Sequence, residues 1–208
     1  MNKLAVFDFD STLMDGETIE IIASEIGLQE QVAQITKRAM EGELDFFDSL
    51  TYRVSLLKGI SEKRVNEICH SLPYMPGAKE TITALKNKGY IVVCFSGGFK
   101  NATEYAKDIL GYDADFSNIL HTKDGILTGQ VGGEMMFSDS KGQMLQKLQT
   151  ILKVTPENTI AVGDGANDLS MFKHAKTRVA FCAKQRLKEA STICLEEKDL
   201  RSLLEKIN

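Results

Sequence analysis

Three short apolar runs in this chain stop abruptly at small or acidic residues. Leu4-Ala5-Val6-Phe7 runs into Asp8-Phe9-Asp10-Ser11-Thr12. Tyr90-Ile91-Val92-Val93-Cys94-Phe95 runs into Ser96-Gly97-Gly98. Thr159-Ile160-Ala161-Val162 runs into Gly163-Asp164-Gly165-Ala166-Asn167-Asp168. Apolar runs of this length bounded by turn formers read as buried strands. Strands without polar alternation need helices on both faces, which is the situation of a parallel sheet. Helical patterns stand where such a sheet requires them: Ala78, Ile82 and Leu85, closed by Gly89; a segment leading to Gly111; and one from about Ser140 carrying Leu145, Leu148 and Leu152. Val179–Cys182 and Thr192–Leu195 predict further strands, and a final helix is expected to close the chain. The fold class is α/β, with a Rossmann-like core around a mostly parallel sheet.

One block breaks the alternation. Four successive helical patterns follow the first strand, marked by Ile19, Ile22, Ala23 and Ile26; Val32, Ile35 and Ala39; Phe46, Leu50 and Leu57; and Val65, Ile68, Cys69 and Leu72. Pro73 and Pro76 end the block. Residues 15–75 are therefore expected to form an inserted helical cap, and residues 1–14 and 76–208 the α/β core. Ile119–Thr128, with Asp124-Gly125 at its centre, predicts a small β-hairpin.

With 208 residues, 43% of them hydrophobic, the chain suits one large domain or one domain with an insertion. A net charge of −4 and dispersed Lys and Arg give no nucleic-acid footprint and no membrane-surface patch. No secretory or spanning segment is legible, so a cytoplasmic location is expected. Cys69, Cys94, Cys182 and Cys194 lack metal-ligand spacing and are expected as small buried hydrophobes. His70, His121 and His174 fall in no motif.

The strand ends carry the chemistry. In doubly wound sheets the carboxyl ends of the strands share one edge, where ligands bind. Asp8 and Asp10 at the rim of a core demand a compensating cation. Asp8 and Asp164, with a backbone carbonyl, suit a Mg²⁺ ion that keeps water and phosphate among its ligands. Ser96, Gly97 and Gly98 offer a hydroxyl and amides to phosphate oxygens. Lys141, at a predicted helix start, is either a solvated lysine or a point charge for the same phosphate. Arg53 shares the helical spacing of Phe46, Leu50 and Leu57, which puts a permanent charge on an apolar face. It either snorkels to the surface or clamps a carboxylate. Glu17 suits a first-turn acid favoured by the helix dipole.

Together, Asp8-Phe9-Asp10-Ser11-Thr12, Ser96-Gly97-Gly98, Lys141 and Gly163–Asp168 resemble the haloacid dehalogenase-like phosphatases. Gly16-Glu17-Thr18, Ala39–Gly42, Arg53–Leu57 and Pro76-Gly77 narrow the resemblance to members acting on a phosphorylated amino acid. It implies Mg²⁺-dependent hydrolysis of O-phosphoserine, the last step of serine biosynthesis. In that reading Asp8 is the nucleophile, and Asp10 is the acid and base whose carbonyl binds the metal. Asp164 is a metal ligand, and Ser96, Gly97, Lys141 and Asn167 contact phosphate or substrate, with Gly98 in support. Glu17 meets the substrate ammonium and Arg53 its carboxylate. Met40 and Phe46 are either pocket wall or ordinary cap core. Asp168 either holds Lys141 or acts through the metal's water shell. A phosphotransferase, or a phosphatase for another small ester such as phosphohomoserine, remains the alternative. Monomer and homodimer are both open.

Overall fold

The computed structural model describes residues 2–207. Seven strands form one sheet, in the order β4-β3-β2-β1-β5-β6-β7. They are β1 (Lys3–Asp8), β2 (Tyr90–Phe99), β3 (Ala114–Lys123), β4 (Ile126–Gly133), β5 (Thr159–Gly163), β6 (Thr177–Phe181) and β7 (Ile193–Leu195). All neighbours are parallel except β3 and β4. Leu4, Ala5, Val6 and Phe7 are all fully buried, as expected of a central strand covered on both faces.

Of the nine α-helices among the described residues, α1 (Thr18–Ser24), α2 (Gln29–Met40), α3 (Phe46–Ser55) and α4 (Glu62–Cys69) follow β1 directly. Their apolar stripes meet one another: Ile22, Val32, Leu50, Val54 and Val65 belong to one buried cluster. Asp45 and Ser61 cap α3 and α4 with side-chain hydrogen bonds to Asp48 N and Arg64 N. The remaining helices, α5 (Ala78–Asn87), α6 (Lys100–Leu110), α7 (Ser140–Leu152), α8 (Leu169–Phe172) and α9 (Gln185–Ala190), lie among the strands in sequence.

Two sets of backbone hydrogen bonds tie the four-helix block to the sheet. At its base the two connecting segments run side by side, with Asp15 N donating to Pro73 O at 2.8 Å and Met75 N to Leu13 O at 2.9 Å. At its far end the β3–β4 hairpin reaches it. Gly59 N donates to Leu127 O at 3.0 Å, Leu127 N to Ile60 O at 2.8 Å, and Glu62 N to Gly125 O at 2.8 Å.

Some elements differ from expectation. The hairpin is longer than 119–128 and belongs to the main sheet, because the first half of β3 pairs parallel with β2. Strand β2 does not stop at Phe95; its extended backbone continues through Ser96-Gly97-Gly98 to Phe99, with a shift in register against β3. The closing helix is only a 3₁₀ turn, Leu200–Leu203, capped by Asp199. Cys69 and Cys94 are buried, but Cys182 is half-buried and Cys194 is exposed on the edge strand β7, where one side lacks a neighbour.

Candidate active site

Strands β1, β2 and β5 are adjacent and parallel, so Asp8, Ser96 and Asp164 emerge at one edge of the sheet. Lys141, in the first turn of α7, comes up beneath them. Its Nζ lies 2.6 Å from Asp8 Oδ1 and 2.6 Å from Asp168 Oδ1, with all three side chains buried. Lys141 is therefore no surface lysine. Asp168 Oδ2 accepts hydrogen bonds from Asp164 N and Gly165 N, each at 3.0 Å. Both Asp168 oxygens are thus engaged within the protein, which favours the reading that it holds Lys141.

The segment after β1, Phe9–Leu13, is an irregular turn that aims its polar groups in different directions. Ser11 adopts φ +55°, in the left-handed region. Its hydroxyl donates to Glu17 Oε1 at 2.7 Å. Asp10 Oδ1 accepts from Thr18 N at 2.7 Å and from Thr18 Oγ1 at 2.5 Å. Asp10 Oδ2 stands 3.5 Å from the Ser96 hydroxyl, which itself accepts from Gly98 N at 2.9 Å. Asn118, fully buried on β3, donates to Gly97 O at 3.0 Å and braces the end of β2 from behind.

Above this edge is a narrow cavity of about 420 Å³, counting its mouth. Asp8, Asp10, Gly97, Gly98, Asp164 and Asn167 line its floor, and Glu17, Met40, Phe46 and Arg53 its walls and roof. Ser96, Lys141 and Asp168 lie behind the floor. Met40 and Phe46 combine the two roles left open for them. They pack on the buried cluster and also face the cavity. They seat closely: a Cβ on Gly97 would lie 2.7 Å from the Phe46 ring, and one on Gly165 would lie 2.9 Å from Met40 Sδ. Arg53 does not snorkel. It is 3% exposed, donates from Nε to Ser49 O and from Nη1 to the Thr36 hydroxyl, and has no carboxylate ion-pair partner among the described residues.

The electrostatics are unbalanced. Burial pushes the Asp8 carboxyl well above its ordinary range, Asp168 pushes it further, and Lys141 opposes the shift. Asp164 is also raised well above, by burial and then by Glu17 and Asp168. Burial disfavours the Lys141 ammonium, but Asp168 and Asp8 outweigh it and keep the charge. Asp10 is raised by burial, against the hydrogen bonds from Thr18. Glu17 retains some accessible surface as a residue, but its carboxyl group is enclosed; burial and then Asp10 push it up to about 8. Asp8, Asp164 and Asp168 place oxygens within 4.8 Å of one another, a buried acidic group able to hold a metal ion. Among the described residues Lys141 is the one ammonium in contact with these three carboxyl groups, Lys184 acts on Asp164 from farther away, and Asp164's carboxyl takes no hydrogen bond from a described residue. The donor set fits a hard divalent cation.

Sequence reasoning missed four supporting residues: Ser11, Thr18, Thr36 and Asn118. Ser11 and Thr18 stand within the quoted motifs but were given no role, and Thr36 and Asn118 have partners on other elements that spacing along the chain does not show.

A fold and site of this kind define a phosphoryl-transfer class. The family model for haloacid dehalogenase-like hydrolases matches residues 2–176, and the chain belongs to that family. Among its relatives, the phosphoserine phosphatase of Wolinella succinogenes is 63% identical over 202 residues, 97% of this chain and 98% of its own. A solved phosphoserine phosphatase with a phospho-aspartyl intermediate analogue superposes with a TM-score of 0.97 at 50% identity, covering 100% of this chain and 99% of its own. A substrate-bound phosphoserine phosphatase complex gives the same TM-score, identity and coverage.

Glu17 makes the site's electrostatics measurable. Its folded pKa of about 8 exceeds its ordinary value of 4.5, so the folded chain binds this proton more tightly. The associated stability is complete below pH 4.5 and is lost as pH rises through about 8. Glu17→Gln cannot ionise and is expected to flatten the fall in unfolding free energy across that window, read from urea titrations in a chelating buffer. An unchanged pH profile would mean that Glu17 titrates at its ordinary value.

Proposed function

We propose that this chain is a phosphoserine phosphatase, hydrolysing O-phosphoserine to serine and inorganic phosphate. One observation carries the substrate assignment. Among the described residues Arg53 is a buried guanidinium with no carboxylate ion-pair partner, and it faces the same enclosed cavity as Glu17 and Asp8. A substrate with a carboxylate, an ammonium and a phosphate supplies a complementary group to each wall. The high identity to named phosphoserine phosphatases supports the same reading.

Asp8 Oδ1 is held by Phe9 N and Lys141, which leaves Oδ2 to act as nucleophile. This oxygen attacks phosphorus as the bond to the serine oxygen breaks, forming an aspartyl phosphate on Asp8. Asp10, held by Thr18 and raised by burial, gives its proton to the departing serine oxygen. It then takes a proton from the water that attacks phosphorus and breaks the bond to Asp8, and phosphate leaves. Lys141 and the Ser96-Gly97-Gly98 segment offset charge on the phosphoryl oxygens, and Asn167 contacts phosphate or substrate. Asn167 Oδ1 is buried without a hydrogen-bond partner, as a substrate-facing group would be. Asp8, Asp164 and the Asp10 carbonyl would hold Mg²⁺. The ion supplies charge neutralisation for the phosphate.

In this reading α1–α4 act as a cap that excludes water and reads the amino acid. The hairpin and the paired connecting segments pin the cap by its backbone. The α2–α3 turn is held to the core by side chains, including the stacked rings of Phe47 and Phe137 at 5.2 Å. Opening is therefore expected on that side, where a wider cleft shares Phe46 and Asn167 with the cavity. In this reading serine production would put the enzyme at the end of serine biosynthesis, with the cytoplasm as its proposed location.

Purified protein is expected to prefer phosphoserine over phosphothreonine, sugar phosphates and p-nitrophenyl phosphate. Equal use of phosphoserine and the generic ester would overturn the substrate assignment. A new phosphoester on adding homoserine would make the enzyme a phosphotransferase. Asp8→Asn should abolish turnover while substrate binding stays measurable by calorimetry. Arg53→Ala should lower kcat/KM for phosphoserine at least about 30-fold, the effect of removing one partner of a buried charge pair. Its activity on p-nitrophenyl phosphate should change little. A chelator should stop turnover and added Mg²⁺ restore it; activity that survives exhaustive chelation would refute the metal requirement.

A further inference from the structure

Arg53 offers five N–H donors. Nε donates to Ser49 O, in the preceding turn of its own helix, at 3.1 Å, and Nη1 donates to Thr36 Oγ1 at 2.9 Å. Three donors therefore remain for the cavity. The bond to Ser49 holds the inner end of the planar guanidinium through a single contact. The bond to Thr36 fixes the outer end and with it the plane of the fork.

Thr36 is built for this role. It lies on α2, is 3% exposed and does not line the cavity. Its hydroxyl proton is shared between Val32 O, at 3.0 Å, and the Glu20 carboxyl, so it is the lone pairs that meet Arg53. The carboxyl groups of Glu17, Asp10 and Glu20 all act on Arg53 electrostatically, but none forms an ion pair with it. Thr36 is thus the one side chain among the described residues that binds the guanidinium directly.

We propose that Thr36 is a positioning residue for substrate selection: its hydroxyl locks the plane of the Arg53 guanidinium so that the free donors meet a carboxylate edge-on. This rests on the reading of Arg53 as the group that recognises the substrate carboxylate. Bidentate recognition depends on the plane of the fork as well as its charge. Loss of the hydroxyl leaves the charge in the cavity and releases its orientation. The phosphoryl-transfer groups on the sheet edge are untouched.

The test compares wild type, Thr36→Val and Thr36→Ser on O-phosphoserine and on p-nitrophenyl phosphate, which has no carboxylate. Valine keeps the shape of threonine without the hydroxyl, and serine keeps the hydroxyl. Thr36→Val is expected to raise KM for phosphoserine about tenfold, the scale of one hydrogen bond to a charged group, with kcat within about twofold. Its kinetics on p-nitrophenyl phosphate should match wild type, and Thr36→Ser should restore phosphoserine KM. In an Arg53→Ala background, Thr36→Val should add no further loss. Equal losses on both substrates, no rescue by serine, or an additive loss without Arg53 would overturn the proposal. A wild-type enzyme with no preference for phosphoserine would instead refute the functional reading on which the proposal rests. Preference intact in wild type and unchanged in Thr36→Val would refute the positioning role alone.

Discussion

The buried contact of Lys141 with Asp8 and Asp168 organises the rest of the site. It joins three elements distant in sequence: the end of β1, the start of α7 and the turn after β5. An ammonium in this position is costly to desolvate and is retained only because two carboxylates meet it at 2.6 Å. Asp168 passes the constraint on, since its other oxygen fixes the amides of Asp164 and Gly165. The direction of Asp164, and hence the geometry of any cation between it and Asp8, depends on one buried lysine. The pair also leaves the site short of positive charge, and this deficit suits it to a metal ion, which in turn can attract a phosphate.

The helical block stands on this edge with two kinds of attachment that differ in strength and reversibility. Backbone hydrogen bonds at its base and at the hairpin resemble ordinary sheet pairing and do not part without exposing polar groups. The contacts of Met40, Phe46 and Phe47 with the core are made by apolar side chains, without backbone hydrogen bonds of this kind. In the proposed reading, a block held by backbone along one side and by side chains along the other opens on the second side, where the cavity meets the outer cleft.

Much of this was legible in the sequence, for identifiable physical reasons. Apolar runs that end at acids encode both the strand and its functional end, so Asp8, Ser96 and Asp164 could be placed on one edge before any coordinates. Helical periodicity identified α1–α4 because each buries one stripe. The continuation of β2 through Ser96-Gly97-Gly98 was not legible, because glycines break the apolar pattern although the backbone stays extended. Cys194 read as buried because its neighbours are apolar, but β7 is an edge strand. The roles of Thr18, which was read only as part of a motif, and of Thr36 and Asn118 were hidden for a different reason. Threonine within a helix and asparagine within a strand are unremarkable locally, and their roles exist only through partners across the fold.

In the proposed reading, phosphoryl transfer and substrate choice are assigned to different parts of the chain. The groups that act on phosphorus sit at strand ends, where the sheet fixes them and burial sets their protonation. The groups that read the amino acid sit on or beside α1, α2 and α3, where each is oriented by a neighbouring hydroxyl: Ser11 for Glu17 and Thr36 for Arg53. A hydroxyl has one proton and a fixed reach, so it orients a charge without neutralising it. That distinction matters in an enclosed cavity. A carboxylate paired with Arg53 would fix its direction equally well but would cancel the attraction needed for substrate. Recognition by a buried charge therefore requires neutral supports, and the helices beneath the cavity roof supply them.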